Sequence, residues 1–197
     1  SRWTDWTTSV EDGYNLLRGA TDKIFLVGLS MGGVLSLLMS TRLDVAGVVA
    51  MSTPYQLPRD EKDYSPEFIE FYSRFVKFMP KSTEVPGASW FDKEAFQSHI
   101  SYPQNPIRSI AEMKRLILVM RAALPNVTKP VLLIHSKNDK YVLPENVERL
   151  YDGLVNASDK TKAYVVEAGH VVTRDAARHQ VFEMARDFIR RVDASHS

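Results

Sequence analysis

The chain is 197 residues long, 44% hydrophobic and 25% charged, with a formal net charge of +1. That length and balance fit one globular domain with a sizeable core, and the near-neutral charge without a charge run argues against a nucleic-acid partner. The absence of Cys excludes disulfides and thiolate catalysis, and no apolar stretch approaches the ~18 residues that a membrane span needs.

The first element begins almost at once. Trp3, Trp6, Val10, Tyr14 and Leu17 recur at spacings of three and four, which predicts one face of a helix. A domain seldom opens inside an element, so the chain reads as cut at its start. No signal-peptide pattern precedes the helix, which gives a cytoplasmic expectation.

Residues 23–28 form a short apolar run ending in Gly, a buried parallel strand. Residues 31–42 read as a helix through Val34, Leu35, Leu37 and Leu38, and residues 45–52, VAGVVAMS, as a second buried strand. The rhythm then breaks, with no convincing strand between Ser52 and Pro130. Residues 54–64 are loop-like. Residues 65–79 predict a helix dense in aromatics: Phe68, Phe71, Tyr72, Phe75 and Phe78. Residues 80–104 carry Pro80, Pro86 and Pro103 beside Trp90 and Phe91, and residues 106–124 predict another helix through Ile107, Ile110, Met113, Leu116 and Met120.

Alternation resumes with a strand at 130–136, PVLLIHS, a helix at 144–155, a strand at 162–168 and a terminal helix at 173–192 with Thr173 as its N-cap. Strands alternating with helices predict an α/β fold, a mostly parallel sheet covered on both faces. The core therefore spans residues 1–53 and 129–197, and residues 54–128 are a mostly helical insert. An insert of this length is usually functional, often a lid.

Chemistry enters at residues 25–33, FLVGLSMGG. Gly-x-Ser-x-Gly between a strand and a helix is the pattern of a nucleophile elbow. The turn is tight enough to strain Ser30 and to predict that side chains at 28 and 32 would clash. The alternative is a glycine-rich turn that merely packs closely. In the elbow reading the helix opening at Met31 directs its N-terminus at the reacting centre, and the Met31 N–H is one oxyanion donor.

A serine nucleophile needs a base and an orienting acid, in the chain order Ser, Asp, His for this architecture. Among five histidines, at 99, 135, 170, 179 and 196, His170 lies in a Gly-led loop just past the last strand. His99 is in the insert, His135 within a strand, His179 mid-helix and His196 in the tail, where ordinary packing or solvation accounts for them. Asp139 follows the preceding strand and would fix the tautomer of His170. Asp175 is the rival acid and reads better as a first-turn helix residue.

With these residues placed, the chain resembles the α/β-hydrolases of the bacterial carboxylesterase and monoacylglycerol lipase group. The resemblance runs through WTDWTTSVEDGYNLL, GLSMGG, KNDKYVLPENVERLY and AGHVVTRDAARHQVFEMARDFI, and it is weakest in the insert. It implies a serine hydrolase of carboxylic esters, short to medium acyl esters or monoacylglycerols, with Ser30, Asp139 and His170 as its triad. It implies a small cap above an acyl pocket, with Phe68, Tyr72, Phe75, Leu116 and Met120 as candidates for touching the acyl chain and Tyr141 and Val171 near the triad. Packing of the cap onto the body is the competing account of the cap residues. No cofactor or metal is implied, and there is no His-Glu-x-x-His pattern.

The family also carries an N-terminal part with strands and a His-Gly loop that supplies the second oxyanion donor, and no His-Gly dipeptide occurs here. Those elements amount to roughly 50–70 residues. The expectation is that further residues, or a companion polypeptide, complete the sheet and cover Val27. Thioester hydrolysis and C–C bond cleavage use the same fold and triad, and a non-catalytic interaction module would explain the missing part.

Overall fold

The computed structural model describes residues 1–58, 62–81 and 89–195. Pro86 and His196, and parts of the 54–64 and 80–104 segments, lie outside the described residues.

A four-stranded parallel sheet organises the chain: β1 (Phe25–Leu29), β2 (Gly47–Met51), β5 (Val131–Ser136) and β6 (Lys160–Val165), in the order β1-β2-β5-β6. The register sets Val27 beside Val49, Val49 beside Leu132, and Ile134 beside Ala163. β2 and β5 are buried at every position because both faces of the sheet are covered. Alternate residues serve the two faces. Val48, Ala50, Val131 and Leu133 join a core with helices α2 (Met31–Met39), α5 (Ile107–Ala123) and α6 (Glu145–Gly153). Val49, Met51, Leu132, Ile134 and Val165 pack on α7 (Arg178–Ser195) through Val181, Phe188 and Val192. Among the described residues β1 has β2 as its one sheet neighbour, and Val27 on it is 51% exposed.

Helix α1 (Trp3–Arg18) lays Trp3, Trp6 and Val10 on the first core and sets Tyr14 beside Ile24 and Val45. Leu17, assigned to the same face by its spacing, is instead 52% exposed. At the other end of α1, the Trp3 N–H donates to the buried carboxylate of Glu112, which also accepts from Arg115.

Three features of the insert differ from the sequence reading. Helix α3 (Pro66–Tyr72) is short, opened by Ser65 accepting from the Phe68 N–H and by Pro66, and closed at Ser73. Two short strands do occur, β3 (Phe78–Pro80) pairing antiparallel with β4 (Gln104–Pro106). Three residues with a terminal Pro carry no readable alternation, which hid them. Third, α5 belongs to the body: Leu116, Ile117 and Met120 are completely buried against α2 and the sheet. Leu116 and Met120 are therefore core residues and not acyl-chain contacts. A stripe of apolar residues three and four apart marks a packed face without saying what packs on it. Phe68, Tyr72 and Phe75 face solvent, Phe68 stacked on Tyr64 with centroids 4.8 Å apart and Phe75 edge-on to Phe71 at 5.4 Å.

The β1–α2 turn is governed by close backbone approach. A β-carbon on Gly28 would lie 2.1 Å from the Gly32 carbonyl oxygen. One on Gly33 would lie 1.9 Å from the Thr53 hydroxyl oxygen, whereas one on Gly32 would meet nothing within 4 Å among the described residues. The requirement expected at positions 28 and 32 thus falls on 28 and 33, because Thr53 packs behind the turn.

Two stability predictions follow from this packing. Leu116→Ala should cost about 2–5 kcal/mol in urea unfolding, and Phe75→Ala, 72% exposed, less than about 0.5 kcal/mol. Gly33→Ala should destabilise by about 1–3 kcal/mol and recover most of that loss when combined with Thr53→Ala. Gly28→Ala should not be rescued by that second change, because its obstacle is main chain.

Candidate active site

Because the strands are parallel, the segments that follow β1, β5 and β6 emerge at one edge of the sheet, the place where open α/β sheets carry their sites. Ser30 follows β1 directly, with φ 56° and ψ −116°. That backbone costs of order 1–3 kcal/mol for a non-glycine residue. It is held by the sheet on one side, where the Ser30 N–H donates to the Met51 carbonyl at 2.8 Å. On the other side the Ser30 carbonyl accepts the N–H groups of Gly33 and Val34 at 3.0 and 3.2 Å, which starts α2. The Met31 N–H lies at the first residue of α2, where N–H groups point out of the helix end along its axis.

Asp139 lies in the turn after β5, 2% exposed. Its Oδ1 accepts the N–H groups of Tyr141 and Val142, both at 2.9 Å, so the turn aims Oδ2 across the edge. His170, beyond β6, has Nδ1 2.8 Å from Asp139 Oδ2 and Nε2 2.9 Å from Ser30 Oγ. Serine, imidazole and carboxylate are thus brought together.

Electrostatics fix the protons in this chain. Burial pushes the Asp139 carboxyl up, but hydrogen bonds from His135 and His170, the charge of His170 and the Val142 N–H outweigh it and hold the group well below the usual carboxylate range. An ionised carboxylate only accepts, so Nδ1 of His170 carries the proton. In the neutral ring, Nε2 is then the acceptor that faces the Ser30 hydroxyl.

Two loops are stitched to keep this alignment. Ser136 Oγ donates to the Ala168 carbonyl at 2.5 Å and accepts from the Asn138 N–H at 3.0 Å. Asn138 Oδ1 accepts the N–H of Glu167 at 3.0 Å, and Glu167 has φ 58°. His135, completely buried in β5, directs Nε2 at the Val142 carbonyl, 2.8 Å away, and lies 3.4 Å from Asp139 Oδ2. It backs the acid turn, a part that a histidine within a strand did not signal. Tyr141 packs edge-on to the His170 ring at 5.0 Å, and Val171 is half-buried beside it.

The remaining histidines stand apart. His99 packs at a tilt on Trp90, ring centroids 4.9 Å apart, and burial pushes its imidazole pKa down. His179 lies in the first turn of α7, edge-on to Phe182, not in mid-helix. Asp175 is neither a triad acid nor a helix cap. It is 1% exposed, residues 170–177 run in turns and bends, and α7 begins only at Arg178, so Thr173 is not its N-cap. No sequence signal marks a carboxylate that serves main-chain donors. Among the described residues no cluster of His, Asp or Glu could hold a metal ion, and no helix is long and apolar enough to cross a membrane.

The chain is 25% identical over 190 residues to a carboxylesterase of Bacillus subtilis (strain 168), covering 96% of this chain and 73% of that protein. It is 25% identical over 185 residues to a thermostable monoacylglycerol lipase of Bacillus sp. (strain H-257), covering 93% of this chain and 69% of the relative. Its fold matches that of a metagenome-derived lipolytic enzyme with a TM-score of 0.82 at 24% identity, over 97% of this chain and 74% of that structure. A family model described as serine aminopeptidase, S33, matches residues 1–177. On that match, with the parallel sheet and its elbow, the chain belongs to this hydrolase family within the α/β-hydrolase superfamily.

Proposed function

We propose that the protein is a carboxylic ester hydrolase that works through an acyl-enzyme on Ser30, with His170 as base and Asp139 as its orienting acid. The observation that carries the reading is the unbroken hydrogen-bonded chain from Ser30 Oγ through His170 to Asp139, built on a serine held at φ 56°. Strained residues of this kind cluster at active sites, where a side chain is presented to a substrate. The relatives named as a carboxylesterase and a monoacylglycerol lipase support the ester as the substrate class.

In this reading Ser30 Oγ attacks the ester carbonyl as Nε2 of His170 takes its proton, and the imidazolium is stabilised by the Asp139 carboxylate. The Met31 N–H receives the oxyanion at the N-terminus of α2. His170 then gives the proton to the leaving alcohol, and a water deprotonated by the same ring releases the acid. Residues 54–128 form the cap insert, of which α5 is the part rooted in the body. Phe68, Tyr72 and Phe75 are the proposed acyl contacts, with Tyr141 and Val171 at the triad. A second oxyanion donor, and a strand against the outer edge of β1, are proposed to come from a segment or companion chain outside these residues.

The test is labelling with a fluorophosphonate followed by intact mass and adduct mapping, alongside turnover of p-nitrophenyl butyrate, its thioester analogue and a diketone. A single adduct on Ser30, absent in Ser30→Ala, and preference for the oxygen ester are expected. Asp139→Asn keeps the shape and removes the charge, and should lower turnover by about 10³–10⁴-fold. Labelling elsewhere, or full turnover in Ser30→Ala, would overturn the assignment.

A further inference from the structure

Asp175 is one of the most buried carboxylates in the protein, and nothing in the proposed reaction uses it. Its Oδ2 accepts the N–H of Gly169 at 2.7 Å. Its Oδ1 accepts three more main-chain donors: Phe91 at 2.9 Å, Asp92 at 2.7 Å and Ala176 at 2.8 Å. Gly169 immediately precedes His170, and Phe91 and Asp92 belong to the insert, so one side chain bridges the histidine loop and the insert.

The surroundings tighten the bridge. A β-carbon on Gly169 would lie 2.3 Å from the Ser89 carbonyl oxygen, so the two backbones touch here. Asp92 pairs with Arg178 at 2.6 Å, and Arg174 donates to Ser98 Oγ at 2.9 Å. Both arginines flank Asp175 in sequence and reach outward to the same part of the insert. Asp92 also caps α4 (Lys93–Gln97) by accepting from the Ala95 N–H. The insert is therefore seated on the residues that shape the histidine loop.

We propose that Asp175 is a positioning residue for His170. Its carboxylate locks Gly169, and with it the adjoining imidazole, to Phe91 and Asp92. Seating of the insert and alignment of His170 on Ser30 then become one event. The proposal rests on the triad reading given above. Its chemistry is specific to a carboxylate. Four N–H groups converge on two acceptor oxygens, and an amide of the same shape has one. With its oxygen kept at the triply bonded position, the Asn amino group would face the Gly169 N–H, donor against donor, and release the loop.

The test compares Asp175→Asn with Gly169→Ala, which leaves the carboxylate in place and drives a methyl group at Ser89. Turnover of p-nitrophenyl butyrate is normalised to fluorophosphonate-titrated sites. Cooperative thermal melting and the downfield proton resonance of His170 Nδ1–H are recorded on the same samples. Both variants are expected to melt cooperatively, to lose about 10²-fold in kcat, the scale for a misplaced catalytic group, with KM little changed, and to broaden or lose the resonance. Wild-type kcat per titrated site in either folded variant, or a loss that only follows the unfolded fraction, would overturn the proposal. If Asp175→Asn does not fold, Gly169→Ala decides. Ser30→Ala and His170→Ala separate the two readings: full turnover in these sinks the triad itself, whereas inactive controls beside a fully active Asp175→Asn sink the positioning role alone.

Discussion

The approach of one main chain to another at the β1–α2 turn is the constraint on which the rest depends. Position 28 has no room for a β-carbon because the Gly32 carbonyl occupies that space. The chain can therefore reverse direction within a single residue, and that residue, Ser30, takes the strained backbone. The strain is opposed by hydrogen bonds on either side, from the β2 end at Met51 and from the first turn of α2. Because α2 starts at the turn, the serine and the N-terminus of a helix are delivered to the same place. Everything proposed about the chemistry is downstream of this geometry.

The protein keeps buried carboxylates, each stabilised by a different set of donors. Asp139 has two imidazoles and two main-chain N–H groups. Asp175 has main-chain donors, and Glu112 has the start of α1 together with Arg115. Removing a buried carboxylate from water is costly unless each lone pair is met. The consequence is that every such group fixes the segments that donate to it. Asp139 thereby orders the acid turn, Asp175 the histidine loop and the insert, and Glu112 the entry into the first helix.

What the sequence makes legible follows from the range of the interactions involved. The strands at PVLLIHS and VAGVVAMS read clearly because a strand buried on both faces needs an uninterrupted apolar run, a local property. The meeting of Ser30, Asp139 and His170 was legible because each lies just beyond such a strand, and parallel strands deliver their ends to one edge. Leu116 and Met120 were misplaced because an apolar helical stripe looks the same whether it faces a core or a cleft. The β3–β4 pair was invisible because its strands are three residues long and their pairing is set by distant partners. Thr173 resembled a helix cap, but the chain stays in turns and bends until α7 begins at Arg178. Position 32 was credited with a clash that belongs to position 33, because Thr53, brought in by β2, cannot be read from the turn alone.

The proximity of Ser30 and His170 has a meaning for how the molecule assembles. The two are 140 residues apart along the chain, and Asp139 lies 31 residues before His170. Contacts of that span form only after long loops have closed, at an entropic cost that local helices do not meet. Their alignment requires β1, β2, β5 and β6 to be in register together. A hydroxyl poised on an imidazole is therefore a late product of folding, and an intermediate with most of its helices formed would still lack that contact.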